Sequence, residues 1–262
     1  MRALAPVEAD APVRRALVWE TVIVLGLSLG RSAIWSILSI VDSLTRPEPI
    51  ASQTTTLNPS YVPDRPWLDL LYQVANIVLP LVPVVLVCYL LLHVHRPDDR
   101  PLRAIGLDRA RVLGDTARGF GLAALIGIPG LAFYLLSRHL GINLEVSAAN
   151  LGDHWWTVPV YIARAAMNGV LEEVIVVAYL FTRWAQAGRS TRGIVIVAAI
   201  IRGSYHLYQG FGGFLGNIVM GLVFGAAYAR TRRVLPLVIA HTLIDVVAYL
   251  GYALLNGRVS WL

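Results

Sequence analysis

The chain has 262 residues, 56% hydrophobic and only 15% charged, with a mean hydropathy of +0.63. A soluble globular domain carries about 25% charged residues, so this balance excludes a disordered chain, a disulfide scaffold, a collagen and an ordinary cytosolic enzyme, and leaves a polytopic membrane protein. The formal net charge of +6 is not read as a nucleic-acid signal, because every basic residue is Arg and none is Lys; that usage, with abundant Ala and Val, suggests a GC-rich bacterial genome, a compositional association.

Seven apolar segments are predicted, against the roughly 20 residues that a spanning helix needs. The first covers 16–41, preceded by Arg14 and Arg15; the run continues past Arg31 without a small-residue cleavage site, so it is expected to be a retained anchor. A Pro/Ser/Thr-rich loop at 45–66 follows. The second segment is 67–94, with Pro80 and Pro83 expected to bend it. It contains Cys88, the single cysteine, which excludes an internal disulfide and a cysteine-based zinc site. A linker at 96–118 is expected to hold a short surface helix around Arg109. The third and fourth segments are 119–137 and 155–184. The short fifth is 194–208, the sixth 214–228 and the seventh 235–255. The fold expected is an all-α transmembrane bundle of about seven spans, forming one integral membrane domain over 1–262.

The arginines orient this bundle. Fifteen lie in the N-terminal tail and in the linkers after the second, fourth and sixth segments, with Arg2 and Arg96 among them. Four, Arg46, Arg65, Arg138 and Arg258, lie on the opposite side. The positive-inside rule then predicts a cytoplasmic N-terminus and a C-terminus outside.

A charged side chain at mid-membrane costs roughly 3 kcal/mol on insertion scales and needs partners or a polar cavity. The first segment has Arg31. The fourth has Arg164, Glu172 and Glu173, the fifth Arg202 and His206, and the seventh His241 and Asp245. The site is therefore expected from the fourth, fifth and seventh segments, with residues 1–140 as scaffold spans. Adjacent Glu172 and Glu173 point about 100° apart on a helix and cannot share one task. Arg164, Asn168 and Glu172 recur every four residues as a polar stripe, as do Arg202 with His206 and His241 with Asp245. In the last pair the carboxylate either fixes the tautomer of the histidine or stands beside it in the cavity.

This set suits water activation: a desolvated Glu can take a proton from water, and histidines can hold that water or a metal and donate to an oxyanion. No nucleophile is indicated. Ser204 lies in GSYH rather than a GxSG motif, and HExxH is absent.

Glu172-Glu173, then His206, then His241 with Asp245 resemble the CPBP family of intramembrane proteases, which includes CAAX proteases and bacteriocin-processing enzymes. That family shows EExxxR, FxxxH and HxxxN or HxxxD in this order, and the resemblance covers a core of 155–255. It implies a helical bundle around a membrane-embedded cavity. By resemblance Glu172 and His206 activate the water, His241 and Asp245 stabilise the oxyanion, and Glu173 is a supporting carboxylate. The resemblance leaves open a metal-free glutamate mechanism or a divalent metal such as Zn. Two positions depart from the pattern: the family Arg is Val177 here, and the family Phe is Arg202. The two are expected to be linked, with Arg202 pairing with Glu173 across the fourth and fifth spans and Arg164 and Asn168 in support. The expected partners are a peptide or membrane-protein substrate and the lipid bilayer, with no nucleic acid. Two other readings use the same residues, a degenerate pseudoprotease acting as a membrane binding, scaffold or bacteriocin-immunity protein, and a proton-coupled transporter. Against the last, no inverted repeat is visible.

Overall fold

The computed structural model describes residues 10–95 and 98–259. Arg2 and Arg96, counted in the charge bias, lie outside the described residues.

The first apolar segment is two helices, α1 (Ala11–Leu27) and α2 (Leu29–Thr45), bent by 55° at Ser28. The Ser28 hydroxyl donates to the Val24 carbonyl at 2.7 Å, a local bond that competes with the helical ladder at the bend. Pro66–Val78 (α3) and Val82–His93 (α4) form one span, joined by a single 3-10 turn at Leu79–Leu81. Pro80 and Pro83, which cannot donate to the ladder, set this turn where the sequence predicts a bend.

In the following linker the short helix is Pro101–Ala104 (α5), not a helix around Arg109. Pro101 opens it, Gly106 at φ +73° ends it, and the Asp108 carboxylate accepts the Ala110 amide at 2.7 Å, leaving Arg109 in a turn. Val112–His139 (α6) starts a full two turns ahead of the predicted segment. The next span runs without a break from α7 (Thr157–Glu172) through a π-helical stretch at Glu173–Tyr179 into α8 (Leu180–Gln186). α9 (Thr191–Ser204) is capped by Ser190, whose hydroxyl accepts the Gly193 amide at 3.2 Å. α10 (Phe211–Thr231) and α11 (Leu235–Leu255) complete the bundle.

Five of these units are long and apolar enough to cross a bilayer, and the bent α1–α2 pair makes six. With 14 residues, α9 is about 21 Å long, shorter than a hydrocarbon core of roughly 30 Å. It is the fifth predicted segment, and its helix stops at Ser204, ahead of the predicted end at 208. Large apolar side chains lie on the outside, Leu113, Ile128 and Val247 among them, as lipid contact requires. The chain is a multi-pass membrane protein.

Loop contacts divide the molecule into two faces. On one, Arg183 donates to the carbonyls of Val94 at 2.8 Å and His95 at 3.0 Å, and the Val234 amide donates to Ile105 at 3.0 Å. There Arg233 also donates to Asp115 and Asp108, and this donation holds the Asp108 carboxyl below its ordinary pKa. On the other face, β1 (Thr54–Thr56) pairs in parallel with β2 (Glu145–Ser147), and the Leu144 amide donates to Gln209 at 2.9 Å. Alternate linkers thus share a face, the alternation that the predicted crossings demand.

The α7–α8 span is the axis of the bundle. Val174 to Phe181 are all buried, Val177 with them. Gly169 lets α11 approach it: a Cβ there would lie 2.7 Å from Thr242 Oγ1 and 3.0 Å from the Val238 carbonyl. Gly221 of α10 does the same for α9, its Cβ position lying 2.8 Å from the Ala199 Cα. Small residues at helix crossings are how membrane helices pack closely, and here they bring polar side chains from three helices together.

Candidate active site

The site is built where α7 passes into its π-helical stretch. A π-helix turns less per residue than an α-helix and is frequent at functional positions. It begins at Glu173, so Glu172 ends the α-helical ladder and Glu173 starts the wider one.

The two carboxylates have different surroundings. Glu173 is fully buried. Its Oε1 accepts from Arg202 Nη2 and from His241 Nδ1, the latter at 2.8 Å, so one oxygen ties α7, α9 and α11 together. Glu172 keeps 9% of its side chain exposed. Its Oε2 accepts the Tyr205 hydroxyl at 2.7 Å and lies 3.4 Å from Arg202 Nη1, and no hydrogen bond from a described residue reaches Oε1. Arg202 therefore faces both carboxylates. The ring of Phe224 lies 5.6 Å beneath its guanidinium carbon, and Met220 Sδ is 3.8 Å from Nη1.

The histidines are oriented by separate groups. His206 follows the last turn of α9 and places Nδ1 3.0 Å from the Arg202 carbonyl. A carbonyl only accepts, so that nitrogen carries the proton and Nε2 presents a lone pair. The orienting group of His241 is Glu173, across the helix interface. Asp245 Oδ1 lies 3.8 Å from His241 Nε2, beyond hydrogen-bond range, so of the two sequence alternatives Asp245 stands beside the histidine. Asp245 Oδ2 is held instead by Asn168 Nδ2 at 3.0 Å and the Tyr249 hydroxyl at 3.1 Å, and Asn168 also donates to Tyr249 at 2.9 Å. Both histidines are close enough to Glu172 to interact with its charge.

The structure thus brings together Glu172, Glu173, Arg202, His206, His241, Asp245 and Asn168. Arg164 is not among them. It donates to Gln73 Oε1 at 2.7 Å and Asn58 Oδ1 at 3.4 Å, tying α7 to α3 and to the loop before it. The polar stripe on α7 is therefore divided, with its first member in the scaffold. Tyr205 and Tyr249 are the site residues that sequence reasoning missed. Tyr249 had a signal, since it continues the four-residue spacing of His241 and Asp245; Tyr205 had none beyond its place next to His206.

A divalent metal such as Zn does not fit this arrangement. Among the described residues no group of three or more His, Cys, Asp or Glu side chains is placed to hold an ion. His241 Nδ1 is committed to Glu173, and Glu173 Oε1 to Arg202 as well. A ligand set would have to give up these contacts first.

Residues 154–247 match the family model described as Type II CAAX prenyl endopeptidase Rce1-like. The matched segment begins just before α7 and ends within α11, so it holds every member of the cluster except Tyr249. No curated protein and no solved structure matches the chain. The resemblance carried by the paired glutamates and the two spaced histidines is upheld by that match: residues 154–247 are similar to the Rce1-like domain of the CPBP/CAAX protease family.

Proposed function

We propose that the protein is an intramembrane endopeptidase in which Glu172 is the general base, with 155–255 as the catalytic core on a scaffold of 1–140. The single observation that carries this assignment is the asymmetry of the carboxylates. Glu173 is sealed between Arg202 and His241, whereas Glu172 keeps one oxygen uncommitted on a partly open side chain.

In this reading the Tyr205 hydroxyl fixes the Glu172 carboxylate, and its free oxygen takes a proton from water as the water attacks the scissile carbonyl. The lone pair of His206 Nε2 accepts the second hydrogen of that water and orients it. His241, anchored through Nδ1–H on Glu173 and standing beside Asp245, acts as an imidazolium and donates Nε2–H to the developing oxyanion. Glu172 then returns its proton to the leaving amine, so the base ends the cycle as it began. Glu173 and Arg202 act through His241 and Glu172 as positioning residues.

The test is cleavage of a library of model membrane peptides by the purified protein in vesicles. Glu172→Gln keeps shape and loses the base, and is expected to lower turnover by on the order of 10²-fold or more with the fold intact. Near-normal cleavage by Glu172→Gln would remove the base from Glu172, and absence of cleavage by the unsubstituted chain would favour the pseudoprotease reading.

A further inference from the structure

Arg31 is the charged residue of the apolar segments that neither the catalytic cluster nor the scaffold contacts absorb. Its side chain is exposed, and no hydrogen bond, ion pair or ring contact joins it to a described residue. A bare guanidinium in a spanning segment is unfavourable by default and points to a missing partner.

Its position says what that partner is. Arg31 lies just past the Ser28 bend, fourteen residues before the end of α2 at Thr45. At about 1.5 Å per residue that is roughly 21 Å from the end of the helix, well below the headgroup level on that side. Arg31 borders a groove of about 650 Å³ between α2 and the α3–α4 span. Ser32, Ser36 and Ser39 line the same groove, and Leu171 and Tyr205 form its inner wall. Leu171 precedes Glu172, and the Tyr205 hydroxyl holds Glu172. The groove therefore runs from the bundle exterior to the tyrosine that holds the carboxylate assigned as base.

A peptide bond must leave its helix to be hydrolysed, and unwound backbone inside a bilayer needs polar partners. The serine ladder offers them: Ser32 and Ser39 have no partner among the described residues, and Ser36 only accepts, from the Tyr208 amide at 2.7 Å. The anion that matches a planar guanidinium at this depth is a carboxylate on that peptide, since lipid phosphates lie at the headgroups.

We infer that this groove binds an unwound peptide segment bearing a carboxylate, with Arg31 as the specificity-determining residue. The inference rests on the endopeptidase reading, and binding separates the two. The probe is a fluorescent Ala/Leu peptide containing one Glu, compared with the same peptide containing Gln. Affinities are measured on the full chain carrying Glu172→Gln, in phosphatidylcholine vesicles at mildly alkaline pH, where no turnover is needed. The Glu peptide is expected to bind at least about 10-fold more tightly, and Arg31→Gln to bring the two within about 2-fold, with Arg31→Lys in between. Equal affinities with Arg31 present, or a preference that survives Arg31→Gln, would overturn the inference. So would loss of the preference on adding phosphatidylglycerol, which would make Arg31 a lipid contact. Selective binding without cleavage by the unsubstituted chain would uphold the groove and count against the endopeptidase reading alone.

Discussion

Replacing Arg202 with Met is the most informative single perturbation of the helix interface. Arg202 and Glu173 are both essentially inaccessible, with 1% and 0% of their side chains exposed. Among the described residues Glu173 Oε2 and Arg202 Nε have no hydrogen-bond partner, so the pair depends on the contact at Oε1. Removing Arg202 leaves Glu173 a single donor, His241, and strips Glu172 of its nearest cation. Breaking a buried pair from one side costs about 3–5 kcal/mol, because the remaining charge is uncompensated. Glu173→Gln should cost less, since Arg202 still faces Glu172 at 3.4 Å. In the double variant the stranded charge is gone, so its cost should fall below the sum of the single costs by about 1–3 kcal/mol. The half-buried Cys88, the only cysteine, provides the assay: unfolding in mixed micelles is followed by its modification with a thiol reagent. Additivity within about 0.5 kcal/mol would show that the two groups are not coupled and would refute the reasoning.

Two further outcomes follow from the faces of the bundle. Reporter fusions at Ser60, Arg109 and Arg189 should read outside, inside and inside, from the arginine bias; a cytoplasmic signal at Ser60 would invert the orientation. The Asp108 carboxyl is held below its ordinary value by Arg233, so this pair stabilises the linker above the ordinary carboxylate range and is lost as pH falls through the lowered value. Amide protection factors across α5 and the following turn, corrected for the intrinsic pH dependence of exchange, should therefore fall on acidification, and Asp108→Asn should abolish that change; an unchanged profile would dissociate the linker from Arg233.

The sequence by itself determined the membrane class, the seven helical units and the charged residues and histidines of the cluster. Those follow from local quantities: hydropathy over a helix length, proline at a bend, and the cost of charge in lipid, which makes Glu172, Glu173, His206 and His241 visible one at a time. It also led to the pairing of Arg202 with Glu173, because a charge missing at Val177 and gained at 202 must balance within one interior. It did not separate Arg164 from the stripe, since spacing on one helix says nothing of what faces each turn. Only the tertiary structure decided that α3 meets Arg164 while α11 meets Asn168. Only packing decided which glutamate is sealed, because the π-helical stretch and the close approach at Gly169 set the direction of each side chain. The anchor of His241 is Glu173 on another helix rather than Asp245 one turn away, a choice made by an interhelical distance that no spacing within α11 encodes.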